Sequence, residues 1–137
     1  MTTVLFACVA NAGRSQMAAA FFNALGDPAK ARAISAGTRP SPSVHPEVAL
    51  VMREAGIDLG RCQPRRLTSH LASTAQLLIT MGCGDECPVV PGAEREDWSI
   101  DDPKGQRLET VRNIREDIRE RVLNLLRARR WEAPTVG

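Results

Sequence analysis

The chain has 137 residues, the usual size of one domain, so we predict a single domain spanning residues 1–137. A hydrophobic fraction of 43% and a charged fraction of 25% are typical of a globular protein and argue against disorder outside the C-terminal tail. The formal net charge of +2 is too small to favour nucleic acid or an anionic membrane as the main partner. No membrane span or signal peptide is recognisable, so we expect a cytoplasmic location, where the four cysteines are reactive or metal-binding thiols rather than structural disulfides.

The N-terminal region predicts a strand, a loop and a helix in direct succession. An apolar run at residues 4–7 predicts the strand, and helical spacing of apolar residues over 16–25 predicts the helix. Between them, Cys8 is separated from Arg14 by five mostly small residues. Such a loop can turn its backbone N–H groups towards a tetrahedral oxyanion, with the helix N-terminus and Arg14 adding positive potential.

The same positive potential favours the thiolate form of Cys8, which makes this residue a candidate nucleophile. The alternative is an inert buried cysteine at the end of a core strand. That interpretation does not explain why small residues, Arg14 and Ser15 follow the cysteine. The predicted oxyanion-binding residues are Val9, Ala10, Asn11, Ala12, Gly13, Arg14 and Ser15.

The rest of the chain alternates between strand-like and helical patterns. Residues 31–36 and 77–81 predict strands, and a weaker apolar segment lies around Trp98. Residues 46–55 predict a helix, and residues 108–125 predict a long amphipathic one. This alternation favours an α/β fold with a parallel sheet.

Cys83 and Cys87 follow the third predicted strand, four residues apart. Because the carboxyl ends of parallel strands form the ligand edge of an open sheet, both thiols should lie on the same edge as Cys8. In an ideal helix their Cβ atoms would be roughly 5–6 Å apart, against about 3.5–4.5 Å in a disulfide. A reversible bridge therefore needs local unwinding, which Gly82 and Gly84 facilitate.

Zinc is the main competing explanation for a pair of cysteines. A structural zinc site needs four ligands, which typically arrive as two close pairs, and no second pair exists in this sequence. Cys62 is isolated, and His45 and His70 occur singly. We therefore predict no metal site, and take Cys62 as structural or incidental.

Asp101 and Asp102 precede Pro103 in the predicted loop between the fourth strand and the last helix. A carboxylate at this edge could exchange protons with a leaving oxygen. An aspartate that forms a turn or caps a helix before proline explains the same residues.

These motifs resemble the low-molecular-weight tyrosine phosphatase superfamily and, within it, arsenate reductases of the thioredoxin-coupled type. The resemblance spans nearly the whole chain, and Gln16 stands where phosphatases usually have proline. It rests on Cys8-x5-Arg14-Ser15 with Asn11, on Ser15-Gln16-Met17-Ala18, on Ser35-Ala36-Gly37-Thr38, on residues 46–58, on residues 81–88 with both cysteines, and on residues 98–103. It implies a four-stranded parallel sheet of order 2-1-3-4 flanked by helices.

The resemblance also implies residue roles. The Cys8 thiolate would attack arsenate held by the loop amides and Arg14, and Asp102 would assist proton transfer to the departing oxygen. Ser15 would support the thiolate by a hydrogen bond, and Asn11 would fix the loop.

The remaining roles fall to the second and third thiols. Cys83 would attack the sulfur of the Cys8 adduct and release arsenite. Cys87 would then move the oxidation to a Cys83–Cys87 bridge that an external reductant can reach.

The expected substrate is arsenate, with phosphate or sulfate as mimics, and no cofactor is expected to bind tightly. The reductant would be thioredoxin or a small thiol such as mycothiol. Two positions depart from the family pattern: Gly13 stands where many relatives have a further cysteine, and Ala19 where some reductases have a glutamate that contributes to a potassium site. The resemblance therefore does not carry a potassium site over to this chain.

Two other functions use the same residues. A protein tyrosine phosphatase would work through Cys8, Arg14 and Asp102, but the chain has no tyrosine. Pro103 is followed directly by Lys104 and Gly105, without the aromatic residues that usually form the wall of a phosphotyrosine pocket. A non-enzymatic oxyanion or thiol-redox sensor would use the same loop and cysteines without turnover.

Overall fold

The computed structural model describes residues 1–82 and 92–134. Its strands and helices alternate along most of the chain. The strands are β1 (Thr2–Cys8), β2 (Ala31–Gly37), β3 (Leu77–Thr80) and β4 (Glu94–Asp97). The helices are α1 (Arg14–Leu25), α2 (Pro46–Glu54), α3 (Ser69–Ser73) and α4 (Leu108–Arg129).

All strand pairs of the sheet are parallel, and the strand order is β2-β1-β3-β4. The predicted α/β class and the 2-1-3-4 order are thus confirmed. Since parallel strands must be joined by crossovers, helices cover the two faces of the sheet. In the described part of the chain, no helix is long and apolar enough to cross a membrane.

The central strand β1 is buried on both faces. Val4 and Phe6 belong to the larger core with α1, α2 and α4, whereas Leu5 and Ala7 belong to a smaller core that includes α3. Phe6 packs against Trp98, with ring centroids 5.6 Å apart. This two-sided burial makes β1 a rigid base for the loop that follows it.

An exposed ion pair joins α2 to α4. The guanidinium of Arg112 binds both carboxylate oxygens of Glu54, with an Nη2–Oε2 distance of 2.8 Å, and Arg115 also donates to this carboxylate. The hydrogen bond from Arg112 lowers the pKa of Glu54 below its usual range. A pKa lowered by folding stabilises the fold above the unfolded-state pKa, and this contribution fades as the pH falls through the folded-state value.

The structure differs from the sequence-based expectations in one additional helix and in two element boundaries. The helix α3 was not predicted; the Thr68 hydroxyl caps it by accepting a hydrogen bond from the Leu71 N–H at 3.0 Å. The strand β4 precedes Trp98 instead of containing it, and its charged residues suit the edge of a sheet. Helix α1 begins at Arg14, two residues before the predicted start, so Arg14 and Ser15 lie in its first turn.

Gly37 brings the end of β2 close to the loop after β1. It pairs with Cys8 in the parallel register. A Cβ atom built on Gly37 would lie 2.5 Å from the Val9 carbonyl oxygen and 2.9 Å from the Asn11 nitrogen. Both neighbours are backbone atoms, so the loop can adopt its position only because residue 37 lacks a side chain.

We expect Gly37→Ala to destabilise the protein by about 1–3 kcal/mol, because the added methyl group must displace the backbone of the loop. Urea denaturation measures the change. Gly60→Ala is the matched control, since a Cβ there meets only the Asp58 carboxylate, at 2.9 Å, and that side chain can turn away. Equal losses of stability in the two variants would show that Gly37 does not set the position of the loop.

Candidate active site

The candidate site lies at the carboxyl edge of the sheet. Cys8 is the last residue of β1, and Arg14 begins α1 after a loop of five residues. Gly82 follows β3, and Asp102 lies in the loop between β4 and α4. The structure therefore brings Cys8, Arg14 and Asp102 to one edge, as the sequence predicts.

Every carbonyl oxygen from residue 8 to residue 13 accepts a hydrogen bond. The donors lie in the segment after β2 and in α1. The pairs are Thr38 N to Cys8 O at 3.1 Å, Arg39 N to Val9 O at 2.8 Å, Ser41 N to Ala10 O at 2.9 Å, Gln16 Nε2 to Asn11 O at 3.0 Å, His45 N to Ala12 O at 3.0 Å, and Met17 N to Gly13 O at 3.0 Å. The loop carbonyls are thus held by their surroundings.

These bonds also fix the direction of the loop amides. In a trans peptide the C=O and the next N–H point in opposite directions, so a carbonyl bound on the outside turns the following N–H inward. Within residues 1–82 and 92–134, no acceptor is bonded to the N–H groups of Ala12, Gly13, Arg14 or Ser15. Inward-facing amides at a helix N-terminus are suited to hold an anion.

The Cys8 sulfur lies inside this loop, and the residue is 2% exposed. Its Sγ is 2.9 Å from the Ser15 Oγ, and it accepts a hydrogen bond from the Asn11 N–H at 3.3 Å. Asn11 has a φ of 49°, a left-handed conformation that asparagine tolerates better than most residues.

The hydrogen bonds around Asn11 determine which atom donates between Ser15 and Cys8. The Arg65 N–H can only donate, and it lies 2.9 Å from the Asn11 Oδ1. The other side of the amide, Nδ2, therefore donates to the Ser15 Oγ at 2.7 Å. The Ser15 hydroxyl hydrogen is then free to point at the Cys8 sulfur, the arrangement that a thiolate requires.

Arg14 places a cation at the same edge. Its side chain is largely buried, its Nη1 donates to the Ile100 carbonyl at 3.2 Å, and its Nη2 lies 3.8 Å from the Asp102 Oδ2. On the other side, Gly82 has a φ of 91°, and a side chain there would collide with the Arg14 Nη1. The guanidinium is thus held between the chain after β3 and the chain after β4.

Asp102 fits both interpretations of its sequence. Its Oδ1 accepts a hydrogen bond from the Lys104 N–H at 3.0 Å, which is a turn, and its Oδ2 faces Arg14. The Asp102 side chain is 58% exposed and can therefore exchange protons with solvent.

The remaining cysteines do not contribute to the described part of the site. Cys83 and Cys87 lie outside the described residues. Cys62 is exposed and lines a groove of about 360 Å³ with Gln16, Gln63 and Arg65. Among residues 1–82 and 92–134, no three histidine, cysteine or acidic side chains are grouped so that they could hold a metal ion.

The structure also explains why position 13 has glycine here instead of the cysteine of many relatives. A Cβ on this residue would lie 2.8 Å from the Pro103 Cγ and 3.6 Å from the His45 Cδ2. The proline ring therefore occupies the space that a cysteine at position 13 would need. The His45 imidazole lies next to the same space.

The sequence indicated neither the buried amide of Gln16 nor the close approach at Gly37 as parts of the site. The only signal for Gln16 was that it replaces the proline usual in phosphatases, and this signal does not say what the amide binds. Gly37 lay within a quoted motif, but a glycine in a sequence does not identify the backbone that it contacts.

Comparison with known proteins agrees with this geometry. The family model described as low molecular weight phosphotyrosine protein phosphatase matches residues 3–133. A putative arsenate reductase of Halobacterium salinarum is 40% identical over 126 residues, which are 88% of this chain and 87% of that protein. A glutaredoxin arsenate reductase of Synechocystis is 37% identical over 129 residues, which are 92% of this chain and 97% of that protein.

Two solved structures are also similar. A thioredoxin-dependent arsenate reductase of Corynebacterium glutamicum superposes with a TM-score of 0.81 at 34% identity; the match covers 93% of this chain but 61% of that one. An arsenate reductase in the phosphate-binding state gives a TM-score of 0.81 at 34% identity, over 93% of this chain and 98% of that one.

We expect Ser15→Ala to slow alkylation of Cys8 by iodoacetamide at neutral pH about tenfold, because a hydrogen bond to a charged group contributes about 1.5–3 kcal/mol. Mass spectrometry of the peptide that contains Cys8 measures the rate. Simple destabilisation would expose the buried thiol and raise the alkylation rate, which is the opposite of the expected decrease. Ser73→Ala removes an exposed hydroxyl that donates to the His70 carbonyl, and serves as the control. An unchanged rate in Ser15→Ala would mean that the hydroxyl does not support the thiolate.

Proposed function

Because the chain belongs to the low molecular weight phosphotyrosine protein phosphatase family, we propose that it uses the Cys8 loop as an arsenate reductase, which converts arsenate to arsenite in arsenic detoxification. The observation that carries the proposal is the buried Cys8 sulfur, which accepts from the Asn11 N–H and faces the Ser15 hydroxyl among inward-turned amides. A tetrahedral arsenate fits the same donors as phosphate, since both are oxyanions of similar form.

In the first step, the Cys8 thiolate attacks arsenic and forms a sulfur–arsenic bond. The loop amides and Arg14 bind the arsenate oxygens and stabilise the negative charge. Asp102 supplies a proton to the departing oxygen, which leaves as water. Cys8 and Arg14 are then the binding and nucleophilic groups, and Asp102 is the acid.

In the second step, Cys83 attacks the Cys8 sulfur. A sulfur–sulfur bond forms, the sulfur–arsenic bond breaks, and its electron pair remains on arsenic. Arsenic(V) becomes arsenic(III), and arsenite leaves. Cys87 then attacks Cys83, which releases the Cys8 thiolate and leaves a Cys83–Cys87 disulfide.

A second thiol is obligatory in this chemistry because arsenic(V) takes two electrons and one cysteine supplies only half of a disulfide. A phosphatase hydrolyses its cysteinyl-phosphate with water and has no use for Cys83 or Cys87. The structure supports the relay to this extent: the chain enters the segment that contains Cys83 at Gly82, which lies against Arg14.

The oxidised product needs an external thiol reductant. The chain's own thiols complete the transfer to arsenic, so the product is an intramolecular disulfide, which a dithiol protein such as thioredoxin reduces efficiently. We therefore favour thioredoxin over a small thiol such as mycothiol. Because the resting thiols must stay reduced, we also propose a cytoplasmic location.

The reduced protein should form arsenite from arsenate repeatedly when thioredoxin, its reductase and NADPH are present. Cys83→Ser should form none. Cys87→Ser should form about one arsenite per protein and stop with Cys8 bridged to Cys83, since the disulfide cannot move outward. Arsenite is quantified by chromatography, and disulfides are mapped by mass spectrometry.

Cys62→Ser is the matched control, because Cys62 is exposed and has no place in the relay; it should retain wild-type turnover. Replacement of thioredoxin by mycothiol separates the two reductants. If the wild type forms no arsenite while both serine variants hydrolyse p-nitrophenyl phosphate, the protein is a phosphatase. Full multiple turnover in Cys87→Ser with thioredoxin would refute the assigned order of the thiols.

A further inference from the structure

Gln16, in the first turn of α1, directs its side-chain amide back to Asn11 in the loop. Its Nε2 lies 3.0 Å from the main-chain oxygen of Asn11, 3.3 Å from the Asn11 Oδ1 and 3.4 Å from the Gln63 carbonyl oxygen. The residue is 5% exposed. The two hydrogens of one buried NH2 group are thus shared among the Asn11 carbonyl, the Asn11 side-chain oxygen and the Gln63 carbonyl.

The Asn11 carbonyl differs from its neighbours in the loop. The other carbonyls from residue 8 to residue 13 accept from backbone N–H groups, which no substitution other than proline removes. In the described part of the chain, the donor to the Asn11 carbonyl is the Gln16 side chain. Among the described residues, the Asn11–Ala12 peptide is therefore the one in the loop whose orientation depends on the identity of a side chain.

Two groups of the site depend on that peptide. Because the Asn11 carbonyl is held outward, the N–H of Ala12 points inward, towards the oxyanion. The left-handed φ of 49° at Asn11 places its side-chain amide against Ser15, whose Oγ lies 2.9 Å from the Cys8 Sγ. A left-handed residue other than glycine needs such external support, since the conformation is intrinsically unfavourable.

We propose that Gln16 is a positioning residue for the Cys8 thiolate. By binding the Asn11 carbonyl and Oδ1 it fixes Asn11 in the left-handed conformation. It thereby sets the Asn11–Ser15 hydrogen bond, which directs the Ser15 hydroxyl to the sulfur, and the direction of the Ala12 N–H. The inference rests on Cys8 being the nucleophile of the proposed function. It concerns the reactivity of the thiol before any arsenate is reduced. Proline, usual at this position in phosphatases, has no side-chain donor and could not act in this way.

The test measures alkylation of Cys8 by iodoacetamide and binding of inorganic phosphate in Gln16→Leu, beside urea denaturation of the same variant. The matched control is Asn23→Leu, which removes another amide of α1 that binds a backbone twice: Nδ2 donates to the Ala33 carbonyl at 3.0 Å, and Oδ1 accepts from the Ala33 N–H at 2.9 Å. Asn23 supports the strand β2 and lies outside the loop.

Gln16→Leu should slow alkylation about tenfold and weaken phosphate binding by a similar factor, since it removes donors that orient the groups around a charged sulfur. Asn23→Leu should lose stability but keep both quantities within about twofold. General loosening of the fold would speed alkylation of the buried thiol. A decrease confined to Gln16→Leu therefore identifies a positioning role.

Gln16→Glu separates hydrogen-bond donation from packing, because it keeps the shape and replaces the donor by an oxygen that repels both Asn11 oxygens. It should slow alkylation at least as much as Gln16→Leu, and it decides the question if Gln16→Leu does not fold. A wild-type alkylation rate in either folded Gln16 variant, or an equal decrease in Asn23→Leu, would overturn the proposal. Neither readout requires arsenite, so the proposal can fail while the reductase function stands, and the converse also holds.

Discussion

The outward-held carbonyls of residues 8–13 are the constraint on which the rest of the site depends. A loop of small residues has no side chains with which to bind an anion, so it must use its N–H groups. Those groups face inward only while the opposite carbonyls are bound from outside, mostly by the segment after β2 and by α1. The proposed anion site is therefore a property of the packing between β1, β2 and α1.

The same packing determines the chemistry of Cys8. Burial of a thiolate is unfavourable unless hydrogen bonds compensate for the lost water. Here the Asn11 N–H and the Ser15 hydroxyl supply them, and Arg14 adds a cation at the edge of the site. The loop alone suits both hydrolysis and reduction, since each begins with attack by this sulfur. Only the further thiols of the chain distinguish the two reactions.

The parallel α/β class and the meeting of Cys8 and Arg14 with the Asp101–Asp102 loop at one sheet edge were predictable from hydrophobic period, strand-end geometry and a spaced motif. The 2-1-3-4 order and the choice of Asp102 were implied by the family resemblance. The short helix α3 was missed because a five-residue helix has too few apolar positions to show a period. Gln16 was not recognised as part of the site, since its role arises from the left-handed conformation at Asn11 and from a carbonyl at Gln63, far along the chain. Such contacts depend on tertiary packing, and no local pattern encodes them.

The most direct test of the anion site is a titration of the reduced, 15N-labelled protein with inorganic phosphate, followed in proton–nitrogen correlation spectra. If the loop amides bind the oxyanion, the amide protons of residues 12–15 shift to low field together, with one saturating dependence on phosphate. Arg14→Ala should weaken that dependence strongly. Shifts that spare these amides, or that cluster around the groove beside Cys62, would contradict the account.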